Sequence, residues 1–196
     1  MRAVLRSKPP ECVVKADPSS EILLTGVLDR HFRTTYVAAL LVGNQLVQRG
    51  SKNQLRTETS RVSIKGAIVN ADGFEFTVNG TGFVDPGSGN EPGYGLAAAT
   101  LVPPNVGAPG GAPVLVKVRV FGETLGGEEI ESSELTFPVS VCDGCLVRYP
   151  IEADNPANPG YDCTSTEGNP EEPCYFGQDD PIDCRLCGGD PICLAP

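Results

Sequence analysis

The segment VLVKVRVF, residues 114–121, places valine at every second position, with larger or charged residues between. A period of two puts all four valines on one face of a β-strand. Gly126-Gly127 then predicts a turn, and residues 135–141 (LTFPVSV) repeat the alternation on a return strand. Pro138 predicts that this return strand lies at a sheet edge or on a bulge, since proline has no N–H to donate.

Strand patterns continue outward from this hairpin over most of the chain. Apolar alternation or short apolar runs predict further strands at residues 21–29, 34–42, 61–68, 74–78 and 94–102. Gly43-Asn44 and Asp72-Gly73 are the hairpin turns that we expect between them. The content of 23 Gly and 18 Pro also favours short strands and turns over long helices. We therefore predict an all-β fold, an antiparallel immunoglobulin-like β-sandwich of about seven to nine strands.

Composition divides the chain into three parts. Residues 1–10 are basic and end in two prolines, which predicts a flexible leader. Residues 11–141 contain the predicted strands and form the sandwich domain, which is long enough to bury its own core. Residues 142–196 hold seven of the eight cysteines among Pro, Gly and acidic residues, without an apolar run. This Cys-rich acidic extension is predicted to be irregular and to keep its shape through cross-links.

Charge is distributed unevenly along the chain, whose net charge is −10. The extension has eleven acidic residues against two arginines, whereas residues 1–65 carry eleven basic residues against five acidic ones. The extension is therefore either a solvated acidic tail or a segment that folds back on the basic front half. No basic stripe is interleaved with aromatic residues, so we expect no nucleic-acid partner. No apolar run is long enough to predict a membrane span.

The cysteines predict four disulfides among the eight residues. These are Cys12, Cys142, Cys145, Cys163, Cys174, Cys184, Cys187 and Cys193. Eight cysteines allow 105 pairings, and the position of Cys12 before the first strand suggests a bridge from it to Cys142 or Cys145. The alternative is a structural zinc ion held by the two CxxC pairs, Cys142/Cys145 and Cys184/Cys187. Their spacing is longer than in most zinc sites, which favours disulfides, and neither pair opens a helix, which argues against a redox role.

Few other residues predict a chemical site. Asp179, Asp180 and Asp183 lie close together and are weak candidates for calcium ligands, although they do not match an EF-hand. His31 is the only histidine, so no common serine triad or histidine metal cage can form. No nucleotide-binding or hydrolase motif is present. We therefore predict that the protein is not an enzyme and holds no cofactor other than the alternative zinc or calcium.

The extension also carries the motifs of a resemblance. The sequence PCYFGQDDPIDCRLC, residues 173–187, together with Cys142-Asp-Gly-Cys145, resembles secreted or lipid-anchored proteins of unknown function from myxobacteria and related deltaproteobacteria. In those proteins an Ig-like sandwich precedes a Cys-rich C-terminal tail. The resemblance implies the cell envelope or the extracellular side, and it supplies no catalytic residue.

These observations together predict a non-enzymatic structural or binding module, stabilised by disulfides. We expect it outside the cell or in the cell envelope, as an outer-membrane lipoprotein or a periplasmic protein. The N-terminus lacks the apolar core of a signal peptide, so this expectation requires an export signal or a lipid anchor upstream of residue 1. The expected partner is another envelope protein or a second copy of this chain.

Overall fold

The computed structural model describes residues 1, 3–8, 11–50, 58–148 and 173–183. The described residues contain strands and no α-helix. The strands are β1 (Ala3–Leu5), β2 (Ile22–Leu23), β3 (Gly26–Asp29), β4 (Tyr36–Asn44), β5 (Val62–Ala71), β6 (Phe74–Val84), β7 (Gly93–Val102), β8 (Val114–Thr124), β9 (Glu129–Glu131), β10 (Leu135–Cys142), β11 (Val147–Arg148) and β12 (Ile182–Asp183). Over these ranges the chain contains no helix able to cross a membrane.

Two sheets pack face to face and confirm the predicted all-β sandwich. One sheet has the order β2-β1-β4-β7, and the other has the order β3-β10-β8-β5-β6, with β9 paired to β8. Neighbouring strands in both sheets are antiparallel except β3 and β10, which are parallel. A small parallel pair, β11 and β12, joins the two described parts of the extension.

The core lies between the two sheets, and the alternation in β8 supplies its centre. Val114, Val116, Val118 and Val120 are all buried, as the sequence pattern predicts. The alternate residues of β10 lie beside them, and β4 and β7 close the core from the opposite sheet. Asp72-Gly73 forms the predicted turn between β5 and β6, with φ of 49° and 88°. These positive values are the ones that a two-residue type I′ hairpin requires.

The turn predicted at Gly43-Asn44 is wrong, because β4 continues through both residues. Gly43 pairs with Tyr94 and Asn44 pairs with Gly93 on β7. The buried Asn44 side chain donates hydrogen bonds to the backbone oxygens of Ser60 (2.8 Å) and Val84 (3.1 Å). These bonds satisfy the Asn44 amide and join the end of β4 to the opposite sheet.

The prediction of a flexible leader is wrong for residues 3–5. Their apolar sequence Ala-Val-Leu forms β1, which lies between β2 and β4, and Val4 and Leu5 are buried. The strand predicted at residues 21–29 is also divided. Its first part is β2 in one sheet and its second part is β3 in the other, and Leu24 is exposed at the crossing point.

Pro138 lies in a strand whose two neighbours pair with different halves of it and overlap only at Val139. β8 pairs with β10 from Leu135 to Val139, whereas β3 pairs with β10 only from Val139 onward. Pro138 is therefore the last residue of the half that has one neighbour among the described strands. The predicted edge position is therefore correct for Pro138, although β10 as a whole lies between β8 and β3 in the strand order.

A candidate binding cleft and a docked C-terminal segment

An apolar cleft of about 310 Å³ opens at one end of the sandwich, between the two sheets. The last residues of β4 form one wall, and residues of β5, β6, β8 and β9 form the other. The lining residues are Val42, Gly43, Asn44, Gln45, Leu46, Val62, Ile64, Val84, Val120, Phe121, Gly122, Ile130, Glu131 and Ser132. The volume falls in the range of pockets that bind small molecules or side chains.

The register of β1 leaves this end of β4 open. β1 pairs with β4 only at Ala39, Leu40 and Leu41, so among the described residues no strand pairs with residues 42–44 on that side. On the opposite wall, Gly122 pairs closely with β5, where a Cβ would collide with the backbone oxygen of Ser63. The cleft thus results from a short first strand on one wall and a tightly paired glycine on the other.

Three polar side chains that line the cleft, those of Asn44, Glu131 and Ser132, already have partners within the protein. The Asn44 amide donates to two backbone oxygens, and its Oδ1 accepts the N–H of Leu46 at 3.0 Å. Glu131 forms an ion pair with Arg119 at 2.9 Å, and Ser132 Oγ accepts the N–H of Val120. A ligand therefore meets mainly apolar surface, and apolar burial supplies most of the available binding free energy.

The second feature is the segment Pro173–Asp183, which docks on the sandwich beside β3 and β4. Cys174 forms a disulfide with Cys12. The side chain of Gln178 binds the backbone of Val37 in both directions: its Oε1 accepts the Val37 N–H at 3.0 Å, and its Nε2 donates to the Val37 oxygen at 2.7 Å. An amide side chain thus occupies the position that a neighbouring strand would take on β4.

Backbone hydrogen bonds hold the same segment to β3. The N–H of Asp29 donates to the oxygen of Gly177 at 3.0 Å, and the N–H of Asp179 donates to the oxygen of Val27 at 3.1 Å. The Phe176 ring packs edge-on against Phe32, and the Arg33 guanidinium lies over the Tyr175 ring. The extension therefore folds back on the front half over residues 173–183, through backbone and aromatic contacts.

Asp179 and Tyr36 form the buried centre of this docking contact. The Tyr36 hydroxyl donates to the carboxylate of Asp179 at 2.9 Å, and Oδ1 of the same carboxylate accepts the N–H of Val27. Burial raises the pKa of Asp179 above its ordinary value, against the opposing effect of these hydrogen bonds. Burial is also the largest cause that raises the pKa of Tyr36, and the negative charge of Asp179 raises it further. Gly26 lies against the Tyr36 ring, where a Cβ would collide with it.

The acidic residues proposed as calcium ligands have other partners. The Asp179 carboxylate binds the donors just described, and the carboxylate of Asp180 forms an ion pair with Arg6 at 2.7 Å. The side chain of Asp183 lies outside the described residues. The structure therefore gives Asp179 and Asp180 protein donors as partners and does not bring them together as a calcium site.

The disulfides correct one part of the cysteine prediction. Cys12 pairs with Cys174 and does not pair with the CxxC at Cys142 and Cys145, whose cysteines form a disulfide with each other. This bond engages two of the four thiols that the zinc alternative would require. The remaining cysteines of the prediction lie outside the described residues, namely Cys163, Cys184, Cys187 and Cys193.

A buried carboxylate, which the sequence does not identify, organises the CxxC loop. Asp29 is 0% exposed, and its carboxylate accepts the N–H groups of Gly144 (2.7 Å), Leu146 (2.9 Å) and His31 (3.1 Å). One carboxylate oxygen of Asp29 and the two sulfurs lie within 4.8 Å of one another. The imidazole Nδ1 of His31 lies 3.6 Å from a carboxylate oxygen of Asp143, on the outer side of the loop.

No known family model matches the chain, and a search of curated proteins finds no match.

Asp179→Asn should change how stability depends on pH. Because the pKa of Asp179 is raised in the folded state, the folded protein keeps this proton to a higher pH than the unfolded chain does. Stability contributed by this group therefore falls as pH rises from about 4, the unfolded value, through the raised folded pKa. Asparagine does not titrate, so Asp179→Asn removes this fall of stability with rising pH. Asparagine also tolerates the positive φ of 63° at this position.

Urea denaturation of both proteins at pH 4 and pH 7 tests this expectation. The stability of the wild type relative to Asp179→Asn should be lower at pH 7 than at pH 4. The same difference at both pH values would contradict the effect of burial on Asp179.

Proposed function

We propose that the protein is a non-enzymatic structural or binding module that holds an apolar segment of a protein partner in its cleft. The observation that carries this proposal is the cleft itself, an apolar space of about 310 Å³ in which the side chains of Asn44 and Glu131 are already bound within the protein. A folded domain buries its apolar surface where it can, so an open apolar space of this size is typical of a binding site.

The open edge of β4 supports an extended polypeptide as the occupant. Residues 42–44 present backbone groups beside the cleft that β1 does not pair. An extended segment can add to such an edge by backbone hydrogen bonds and insert every second side chain into the apolar space. The occupant is either a segment of another envelope protein or the same surface of a second copy.

Two disulfides in the described residues indicate an oxidising, non-cytoplasmic location. Among non-cytoplasmic locations we propose the cell envelope or the extracellular space, with the protein as an outer-membrane lipoprotein or a periplasmic protein. The resemblance carried by residues 142–145 and 173–187 supports this placement. The strand order also supports an immunoglobulin-like sandwich, since the chain crosses from the first sheet to the second between β2 and β3, and β3 pairs in parallel with the last long strand.

The neutral apolar dye N-phenyl-1-naphthylamine tests the cleft. Leu46 lines the cleft and is 40% exposed, so Leu46→Asp places a charge on its apolar wall. We expect the dye to bind the wild type and to lose affinity by about tenfold or more in Leu46→Asp, about 1.4 kcal/mol, because a charge is poorly solvated there. The measurement is a fluorescence titration of the folded proteins.

Val47→Asp is the matched control. Val47 is the next residue, is 78% exposed and does not line the cleft, so the same change should leave dye affinity within about twofold. Equal loss in the two variants, or no binding by the wild type, would contradict the proposal. Sedimentation of the wild type over a range of concentrations then distinguishes the occupants: self-association that Leu46→Asp abolishes identifies a second copy.

A further inference from the structure

The disulfide between Cys142 and Cys145 lies where a reacting thiol can reach it. Cys142 is the last residue of β10 and is partly buried, whereas Cys145 is exposed in the loop that follows. Asp143, the side chain next to Cys142 in sequence, is 53% exposed. A disulfide exchanges only when a thiolate can approach one of its sulfurs, so the exposed Cys145 provides the point of attack.

The loop keeps its shape without help from this bond. Asp29 binds the N–H groups of Gly144 and Leu146, and the backbone oxygen of Cys142 accepts the N–H of Arg30 at 2.8 Å. The oxygen of Leu146 accepts the N–H of Ile182 at 2.7 Å. These contacts involve no sulfur atom, so reduction does not remove them directly.

The two disulfides differ greatly in the length of chain that they enclose. Cys12 and Cys174 are separated by 162 positions in sequence, whereas Cys142 and Cys145 are separated by 3. A bond that closes so short a loop restricts the unfolded chain much less than one that closes a long loop. The shorter disulfide therefore contributes less to the stability of the sandwich, and its exposure and the support of its loop are compatible with repeated opening and closing.

We propose that the Cys142–Cys145 disulfide is a thiol–disulfide exchange site that accepts electrons from a dithiol. A thiolate of the dithiol attacks Sγ of Cys145 and forms a mixed disulfide, while the bond to Cys142 breaks and its electron pair leaves on Sγ of Cys142. The second thiolate of the dithiol then attacks the first sulfur of the dithiol, which is bonded to Cys145 in the mixed disulfide. Cys145 leaves as a thiolate. The dithiol loses two electrons and two protons and becomes a disulfide, and Cys142 and Cys145 become thiols.

Asp29 is a positioning residue for this exchange. It is buried, and its carboxylate fixes Gly144 and Leu146 on either side of Cys145. The absence of a helix at this CxxC, which argued against a redox role from sequence, removes one common means of activating a thiol. The structure offers instead a preformed loop in which a buried carboxylate keeps both sulfurs adjacent.

Selective reduction of the folded full-length chain tests the proposal. The protein is exposed to low concentrations of dithiothreitol without denaturant, quenched with an alkylating agent and digested with trypsin. Cleavage after Arg119 and Arg148 gives a peptide, residues 120–148, that contains Cys142 and Cys145 and no other cysteine. Cys12 lies in a separate peptide, residues 7–15. We expect reduction of Cys142–Cys145 to be at least tenfold faster than release of Cys12, with near-ultraviolet circular dichroism unchanged.

The same experiment contains the result that would overturn the proposal. Equal rates for the two disulfides, or reduction that proceeds only in step with loss of the circular dichroism signal, would show that Cys142–Cys145 opens only through unfolding. Reoxidation after removal of dithiothreitol should restore the intact bond in peptide 120–148, and failure to do so would also overturn it.

Two single variants test which sulfur is attacked. Cys142→Ser leaves the exposed thiol of Cys145, and Cys145→Ser leaves the partly buried thiol of Cys142. With glutathione disulfide as the probe, we expect Cys142→Ser to form the mixed disulfide at least tenfold faster than Cys145→Ser. Equal rates or the reverse order would overturn the assignment of Cys145 as the point of attack. Each variant is the control for the other, because both replace one cysteine by serine and both lack the Cys142–Cys145 bond.

Discussion

Replacing Cys12 and Cys174 together by serine is expected to lower the free energy of unfolding by about 5 kcal/mol. Their disulfide closes almost the entire described chain into one loop, with a sequence separation of 162. Loop-closure entropy predicts about 5 kcal/mol for a loop of this length, which is comparable to the total stability of many small domains. The double variant is preferable to either single one, because a single variant leaves a free thiol that can exchange with other disulfides.

The matched comparison is the double serine variant of Cys142 and Cys145. That bond has a sequence separation of 3, and the same relation predicts a loss of only about 2 kcal/mol. Urea denaturation of both double variants and the wild type gives the two losses directly. Similar losses in the two variants would contradict the dependence on loop length from which the two values are predicted.

Asp29→Ala is expected to destabilise the fold by about 3–5 kcal/mol, because it leaves three backbone N–H groups without their acceptor, at about 1–3 kcal/mol for each one that is buried. The carboxylate of Asp29 is completely buried and accepts backbone N–H groups from His31, Gly144 and Leu146. Alanine leaves these donors without their acceptor, and the N–H of Leu146 is the most deeply buried of the three. The measurement is thermal and urea denaturation, with the alkylation pattern of the CxxC loop as a second readout.

Two further variants separate the charge of Asp29 from its position. Asp29→Asn keeps one oxygen as an acceptor and should lose about 1–3 kcal/mol, because its NH₂ group faces backbone donors. Asp143→Asn changes an exposed carboxyl in the same loop and should cost less than about 0.5 kcal/mol. A loss below about 1 kcal/mol for Asp29→Ala would show that the loop is held by other contacts.

The period-two pattern of residues 114–121 predicts the fold well, because each valine that faces the core comes from a local alternation. The Asp72-Gly73 turn is equally local, since two adjacent residues supply the required positive φ values. The turn at Gly43-Asn44 fails for the opposite reason. The hydrogen bonds that Asn44 makes to Ser60 and Val84 come from distant parts of the chain, and they extend β4 past the point where local preference would end it.

The candidate sites depend on contacts that a sequence pattern does not carry. Asp29 and the CxxC loop are more than a hundred residues apart in sequence, and so are Tyr36 and Asp179. The only signal for the first pair is an acidic residue at the end of an apolar strand, which is common on protein surfaces. The cleft is harder still to predict, because it depends on how far β1 extends along β4.

Charge plays a smaller part in docking than the sequence suggests. In the described part of the extension, Asp180 and Arg6 form an ion pair across to the front half, and the pair is partly exposed. Such pairs usually contribute less than about 1 kcal/mol. Gln178, Asp179 and the backbone bonds to β3 supply the more buried contacts. Salt should therefore loosen the segment much less than reduction of Cys12–Cys174 does.

The bond between Cys12 and Cys174 also determines how the protein transmits force. It joins the start of the sandwich to the segment that follows the last long strand, so tension applied at the two ends of the chain passes from Cys12 to Cys174 through one covalent bond. The hydrogen-bonded strands between these residues lie outside the path of the load. Such tension can pull β1 and the docked residues after Cys174 away from the sandwich, whereas β2 to β11, which lie between the two cysteines, carry no load until the bond is reduced. The disulfide therefore carries the load in place of strands β2 to β11.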